Sequence, residues 1–313
     1  SWNFGNGQTA TGATVNPTYA DNGVFQVTLT VSDGTATIQR TATITIANLA
    51  PTIPTLTGRQ TGGENEVFAF TATATDPAGV ADPLTFRWNF GDNSPEIAGV
   101  GLDEVSHVYG DAGQYTLRLT VTDGDGGSAT RSLVITVANL PPSIDELEAP
   151  TEGDEGAPVH FAATASDPGN DPLTFTWEFG DGTPNASGVG LDSVDHTFAD
   201  NGAYTVTLTV SDGTASDRAT VTIDIANIAP SLDVLTVPGQ AGEGVAVTVT
   251  ARASDPAGAN DPLTYRWSFG DNSADQTGAS VAHTFADNGT YTVTVTVTDG
   301  DGGSVSDSRQ IVV

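Results

Sequence analysis

Trp88-Asn-Phe-Gly-Asp92, followed by His107-Val-Tyr109 and by Tyr115-Thr-Leu-Arg-Leu-Thr-Val-Thr-Asp-Gly124, decides the architecture of this chain. Tyr115, Leu117, Leu119 and Val121 alternate with Thr116, Arg118 and Thr120, the period of a strand with one face buried and one wet. The same Trp-x-Phe-Gly and the same strand ending in Val-[Ser/Thr]-Asp-Gly occur four times. The tryptophans are Trp2, Trp88, Trp177 and Trp267, at steps of 86, 89 and 90 residues. Repetition at this spacing describes an array of small domains, so function belongs to the array and not to a single active site.

Working outward in the second repeat, Glu66-Val-Phe-Ala-Phe-Thr-Ala-Thr-Ala74 alternates in the same way, and an Asp-Pro loop runs from Asp76 to Pro83. Leu84-Thr-Phe-Arg-Trp-Asn-Phe90 is a further strand, Asp123-Gly-Asp-Gly-Gly127 a hairpin turn, and Ser132-Leu-Val-Ile-Thr-Val-Ala138 the closing strand. No segment carries a helical period. About seven short strands per repeat predict an antiparallel β-sandwich, with one Trp and one Tyr or Phe anchoring each core. The repeats run over 1–49, 50–139, 140–228 and 229–313. Asn48-Leu-Ala-Pro51, Asn139-Leu-Pro-Pro142 and Asn227-Ile-Ala-Pro230 join them; proline restricts these short linkers, which predicts stiff joints and an elongated rod. The first repeat starts on what is elsewhere the third strand. Either the segment begins within a domain or another chain donates the absent strands; truncation is the expected reading, because the last repeat, closing on Ser308 to Val313, has no extra strand to donate.

The chain has 39 acidic and 9 basic residues, a formal net charge of −30, and every basic residue is Arg. Such a surface repels nucleic acid and anionic membrane and attracts cations. There is no Cys, which excludes a disulfide scaffold and thiolate chemistry. No apolar run approaches the length of a membrane span, and no signal peptide is present.

Trp88-Asn-Phe-Gly-Asp92, Trp177-Glu-Phe-Gly-Asp-Gly182 and Trp267-Ser-Phe-Gly-Asp271 resemble the polycystic kidney disease (PKD) domain family. So does His196-Thr-Phe-Ala-Asp-Asn-Gly-Ala-Tyr-Thr-Val-Thr-Leu-Thr-Val-Ser-Asp-Gly213, with its counterparts from His107 and His283. The first repeat departs from the pattern, with Asn6 for the aspartate and Asn16-Pro-Thr-Tyr19 for His-x-aromatic. The resemblance implies an all-β, tandem array of immunoglobulin-like sandwiches, an extracellular location, and use in surface proteins or beside secreted hydrolases. It does not imply catalysis.

In an immunoglobulin-like topology the Asp-Pro loop and the last hairpin share one end of the sandwich. That end would gather Asp76, Asp82, Asp123 and Asp125 in the second repeat. The matching sets are Asp167, Asp171, Asp212 and Asp217 in the third, and Asp255, Asp261, Asp299 and Asp301 in the fourth. Clustered carboxylates repel unless a cation neutralises them, and calcium suits loop oxygens. These are therefore candidate calcium loops that would stiffen each joint. Asp-Pro and Asp-Gly are equally the commonest turn chemistry, with the carboxylate accepting from backbone amides. Asp92, Asp181 and Asp271, with Asp111, Asp200 and Asp287, lie at the opposite end and read mostly as turn formers, with a contribution across the junction as the alternative. His107, His196 and His283 share one register, read as structural histidines tied to backbone carbonyls; His160 has no counterpart.

No nucleophile elbow, zinc-binding helix or phosphate loop is present, and the carboxylates recur as turns instead of lining one cleft, so no enzyme activity is expected. The last hairpin reads Asp-Gly-Thr at 33 and 212 but Asp-Gly-Asp-Gly-Gly at 123 and 299, which suggests duplication of a domain pair. The expected role is mechanical: a spacer or assembly module in an adhesin stalk, sheath or filament. Its partners would be neighbouring repeats, other copies of itself, or a cell-surface or matrix component. The alternative is a polymer- or carbohydrate-binding array beside a secreted hydrolase, and few aromatics fall on outward registers to support it.

Overall fold

The computed structural model describes residues 1–313. The second repeat packs a three-stranded sheet, ordered Glu104–Val108, Val67–Thr75, Thr52–Gly58, on a five-stranded one. The larger sheet is ordered Thr61–Gly63, Ser128–Ala138, Gly113–Thr122, Thr85–Asn89, Ile97–Val100. All neighbours pair antiparallel except Thr61–Gly63, which runs parallel to the closing strand. The third repeat repeats both sheets, and the fourth has three- and four-stranded sheets. The sole helical element is one 3-10 turn, Gly79–Ala81, inside the Asp-Pro loop.

Alternation dictates which side chains meet between the sheets. Leu117, Leu119 and Val121 are buried and face Phe68 and Phe70 across the core, with Tyr115 half-buried at its margin. Trp88, Trp177 and Trp267 are fully buried, and each indole N–H finds a carbonyl: Leu102 at 2.9 Å, Leu191 at 3.1 Å and Gly278 at 2.9 Å. A buried indole needs such a partner. Outward threonines pair across strands, Thr55 with Thr73 at 2.7 Å and Thr57 with Thr71 at 3.0 Å, which is why threonine suits the wet face.

The glycine of Trp-x-Phe-Gly has a packing reason. Gly5, Gly91, Gly180 and Gly270 all adopt positive φ, between 73° and 84°. A Cβ there would stand 2.6–2.9 Å from a carbonyl oxygen of the neighbouring strand. Only glycine allows the turn to pass this close.

The first repeat has one sheet, ordered Thr9–Ala10, Trp2–Asn3, Gly23–Ser32, Thr37–Ile46. Its Trp2 donates to Gly12 O at 3.0 Å as the other tryptophans do, but lies with Phe4, Tyr19, Val27 and Ile44 in an open apolar groove. The chain divides into two compact units, Ser1–Leu140 with Pro168–Asp171, and Pro141–Asp167 with Pro172–Val313. The first holds the first and second repeats; the second holds the fourth repeat and all of the third except its residues up to Leu140 and Pro168–Asp171.

Candidate functional site

The Asp-Gly-Asp-Gly-Gly hairpin folds back on its own first aspartate. Asp123 Oδ1 accepts from the amides of Asp125 at 3.1 Å and Gly127 at 2.7 Å, and Oδ2 accepts from linker Asn48 Nδ2 at 2.9 Å. The Asn48 hydrogen bond is the largest influence holding the Asp123 carboxyl below its ordinary range. Asp299 stands in the same position, accepting from Asp301 N–H at 3.1 Å and Asn227 Nδ2 at 3.1 Å. Gly127 and Gly303 leave room for this fold, since a Cβ at either would lie 2.3 Å from the aspartate oxygen.

Around each hairpin the Asp-Pro loop adds further carboxylates. Asp76, Asp82 and Asp123 offer ligand atoms within 4.8 Å of one another, and Asp21, Asp82 and Asp125 form an overlapping group. Glu155, Asp255 and Asp261 form the equivalent in the second unit, and Glu64, Asp111 and Asp171 another group in the first. Asp82 is 2% exposed and accepts from Gly124 N–H; Asp261 is 1% exposed and accepts from Gly300 N–H. Burial pushes both carboxyls up, and the surrounding carboxylates push them further: Asp123, Asp125 and Asp76 on one, Asp299, Asp301 and Asp255 on the other.

The structure gathers seven of the twelve expected aspartates into such groups: Asp76, Asp82, Asp123, Asp125, Asp171, Asp255 and Asp261. Asp299 and Asp301 stay with the hairpin. In the third repeat the shorter Asp-Gly-Thr turn changes the outcome. Asp212 Oδ1 closes its own turn through Thr214 and Ala215 amides, both at 2.6 Å, and Asp217 Oδ2 accepts at 2.9 Å from the N–H of Ile144 in the strand Ser143–Glu148. Asp167 joins none of the groups.

Three acidic residues of these groups were not expected, Asp21, Glu64 and Glu155; Asp111, read as a turn former able to contribute across a junction, joins one of them. Glu64 and Glu155 precede the long strand of the smaller sheet, in one register with Glu243. Glu64 is 1% and Glu155 2% exposed, whereas Glu243 is exposed. That recurrence is the sequence signal that would have found them.

The histidines depart from expectation too. Their partner is a carboxylate and not a backbone carbonyl: His107 to Asp92 at 2.6 Å, His196 to Asp181 and His283 to Asp271 at 2.7 Å. Each ring also stacks on the motif phenylalanine, with centroids 3.9, 3.7 and 3.8 Å from Phe90, Phe179 and Phe269. Asp181 Oδ1 meanwhile accepts from Thr183 N–H and Oγ1–H, so it is a turn former with a second task. His160 pairs with Asp195 across exposed strands at 2.7 Å.

These features define a class: tandem immunoglobulin-like sandwiches with clusters of acidic side chains in their loops. The PKD domain model matches residues 1–47, 48–137, 139–226 and 227–313, and the chain belongs to that family. It is 31% identical to Chitinase A of Pseudoalteromonas piscicida over 159 residues, 47% of this chain and 19% of that protein. It is 27% identical to human Polycystin-1 over 221 residues, 66% of this chain and 5% of that protein. Collagenase ColA of Bacillus cereus is 30% identical over 118 residues, 38% of this chain and 11% of the collagenase. The chain thus spans at most about a fifth of these relatives' length. Its repeats all fall to this one module, and no helix is long and apolar enough to cross a membrane.

Proposed function

We propose that this chain is a non-catalytic structural segment of a larger extracellular surface protein, such as an adhesin stalk, sheath or filament subunit. In this role the sandwiches act as a spacer or assembly module. The observation that carries the reading is the direction of the aromatic rings. Trp88, Trp177 and Trp267 are fully buried, and the exposed large apolar side chains are all Val, Ile or Leu. Capture of a sugar polymer calls for flat aromatic faces open to solvent; the second to fourth sandwiches bury every Trp and Phe, and the Trp2 groove of the first repeat is the exception. The charge of −30 keeps an extended chain soluble and unattractive to anionic surfaces.

The likeness to parts of Chitinase A and Collagenase ColA favours a second reading, an accessory polymer-binding array beside a hydrolase. Co-sedimentation of the full chain with insoluble chitin and with fibrillar collagen separates the two. The structural reading expects the chain to stay in the supernatant; saturable binding to either polymer would establish the accessory role instead.

A further inference from the structure

We propose that the joint between the third and fourth sandwiches holds a calcium ion, bound by Glu155 of one sandwich and Asp255 and Asp261 of the next. The three offer carboxylate oxygens within 4.8 Å of one another. A cluster of acids is not in itself a site; the hydrogen bonding here is what points to a cation. In each residue one oxygen is taken by an amide: Glu155 Oε1 by Ile228 at 2.8 Å, Asp255 Oδ1 by Ala257 at 2.9 Å, Asp261 Oδ1 by Gly300. The other oxygen of each, Glu155 Oε2, Asp255 Oδ2 and Asp261 Oδ2, is buried with no hydrogen-bond partner. Glu155 is 2% and Asp261 1% exposed, so water does not screen them.

Buried, unpartnered carboxylate oxygens turned toward like charges are costly, and a divalent cation is the ligand that removes both the desolvation and the repulsion. At the same joint, linker Asn227 donates its Nδ2–H to Asp299, and its Oδ1 is likewise buried without a partner. An all-oxygen set of carboxylates drawn from loops suits calcium. Magnesium demands a tighter octahedron, and zinc prefers nitrogen and sulfur. Because Glu155 belongs to one sandwich and the aspartates to the next, the ion ties the two together, and the amide bonds from Ile228 and Gly300 hold its ligands in place.

This inference deepens the structural reading and rests on it. Its test is a calorimetric calcium titration of the chelator-stripped full chain. Glu155→Gln keeps an oxygen for Ile228 N–H and is expected to bind one ion fewer than the parent. Asp255→Asn, on the neighbouring sandwich, is expected to lose the same ion. Glu243→Gln, in the same register but exposed, is expected to bind as many as the parent. Circular dichroism confirms that each variant is folded. An unchanged ion count in both Glu155→Gln and Asp255→Asn would overturn the site, and magnesium bound as tightly as calcium would overturn the choice of ion. A chain that binds no calcium and also leaves chitin and collagen in the pellet alone would sink this inference while leaving the spacer reading intact.

Discussion

Asn48 donates its Nδ2–H to Asp123 Oδ2 at 2.9 Å, reaching from the first linker into the last hairpin of the second sandwich, and Asn227 repeats the bond to Asp299 at 3.1 Å. The first and third linkers are thereby fastened to the sandwiches that follow them. Asn227→Ala removes the donor from a buried carboxylate, so the fourth sandwich is expected to melt about 5 °C lower. Scanning calorimetry of parent and variant checks this; an unchanged melting profile would show the bond contributes nothing.

The buried tryptophan sets the stability of each sandwich. Trp177 is fully buried and donates to Leu191 O. Trp177→Ala leaves a cavity and an unpaired carbonyl, at a cost of about 3–5 kcal/mol in denaturant unfolding of the third sandwich. Trp177→Phe, which retains part of the volume, is expected to lose less.

The motif glycine separates crowding from conformational preference. Gly180 and Gly182 have nearly the same φ, 79° and 81°, but a Cβ at Gly180 would lie 2.6 Å from Thr205 O, whereas nothing stands within 4 Å at Gly182. Gly182→Ala is expected to cost about 1 kcal/mol, the left-handed penalty alone. Gly180→Ala adds a clash with backbone and is expected to cost at least about 2 kcal/mol, measured by urea unfolding of both variants.

Acid stability tests the aspartate–histidine pair. Burial raises the Asp181 carboxyl, but hydrogen bonds from Thr183 Oγ1–H, His196 and Thr183 N–H outweigh it, and the group titrates below its ordinary value. The folded state therefore binds this proton less tightly than the unfolded chain. The stability it contributes is complete above about pH 4 and is lost as pH falls through the lowered value. Asp181→Asn is expected to lie below the parent at pH 6 and to converge on it toward pH 2. A constant gap across that range, measured by urea unfolding, would rule out the ionised pair as its source.

Much of this was legible in the chain. The alternation from Tyr115 to Val121 set both strand and burial, because a period of two admits one inward face. The meeting of Asp76, Asp82 and Asp123 followed from topology, since loops after alternate strands share an end. What escaped was pairing at a distance. His107 and Asp92 are 15 residues apart, and only the closure of the sandwich sets one against the other. The burial of Glu155 was equally hidden: its strand end reads as a turn until the next sandwich covers it, as the exposed Glu243 shows. The third repeat escaped for a local reason, its one-residue-shorter hairpin turning Asp212 onto its own amides.

Single-molecule extension measures directly whether the proposed spacer is a series of sandwiches that unfold separately. Three major unfolding steps are expected, each releasing about 90 residues, or about 300 Å of contour at the reach of an extended chain. Featureless extension, or one step releasing the whole chain together, would contradict it.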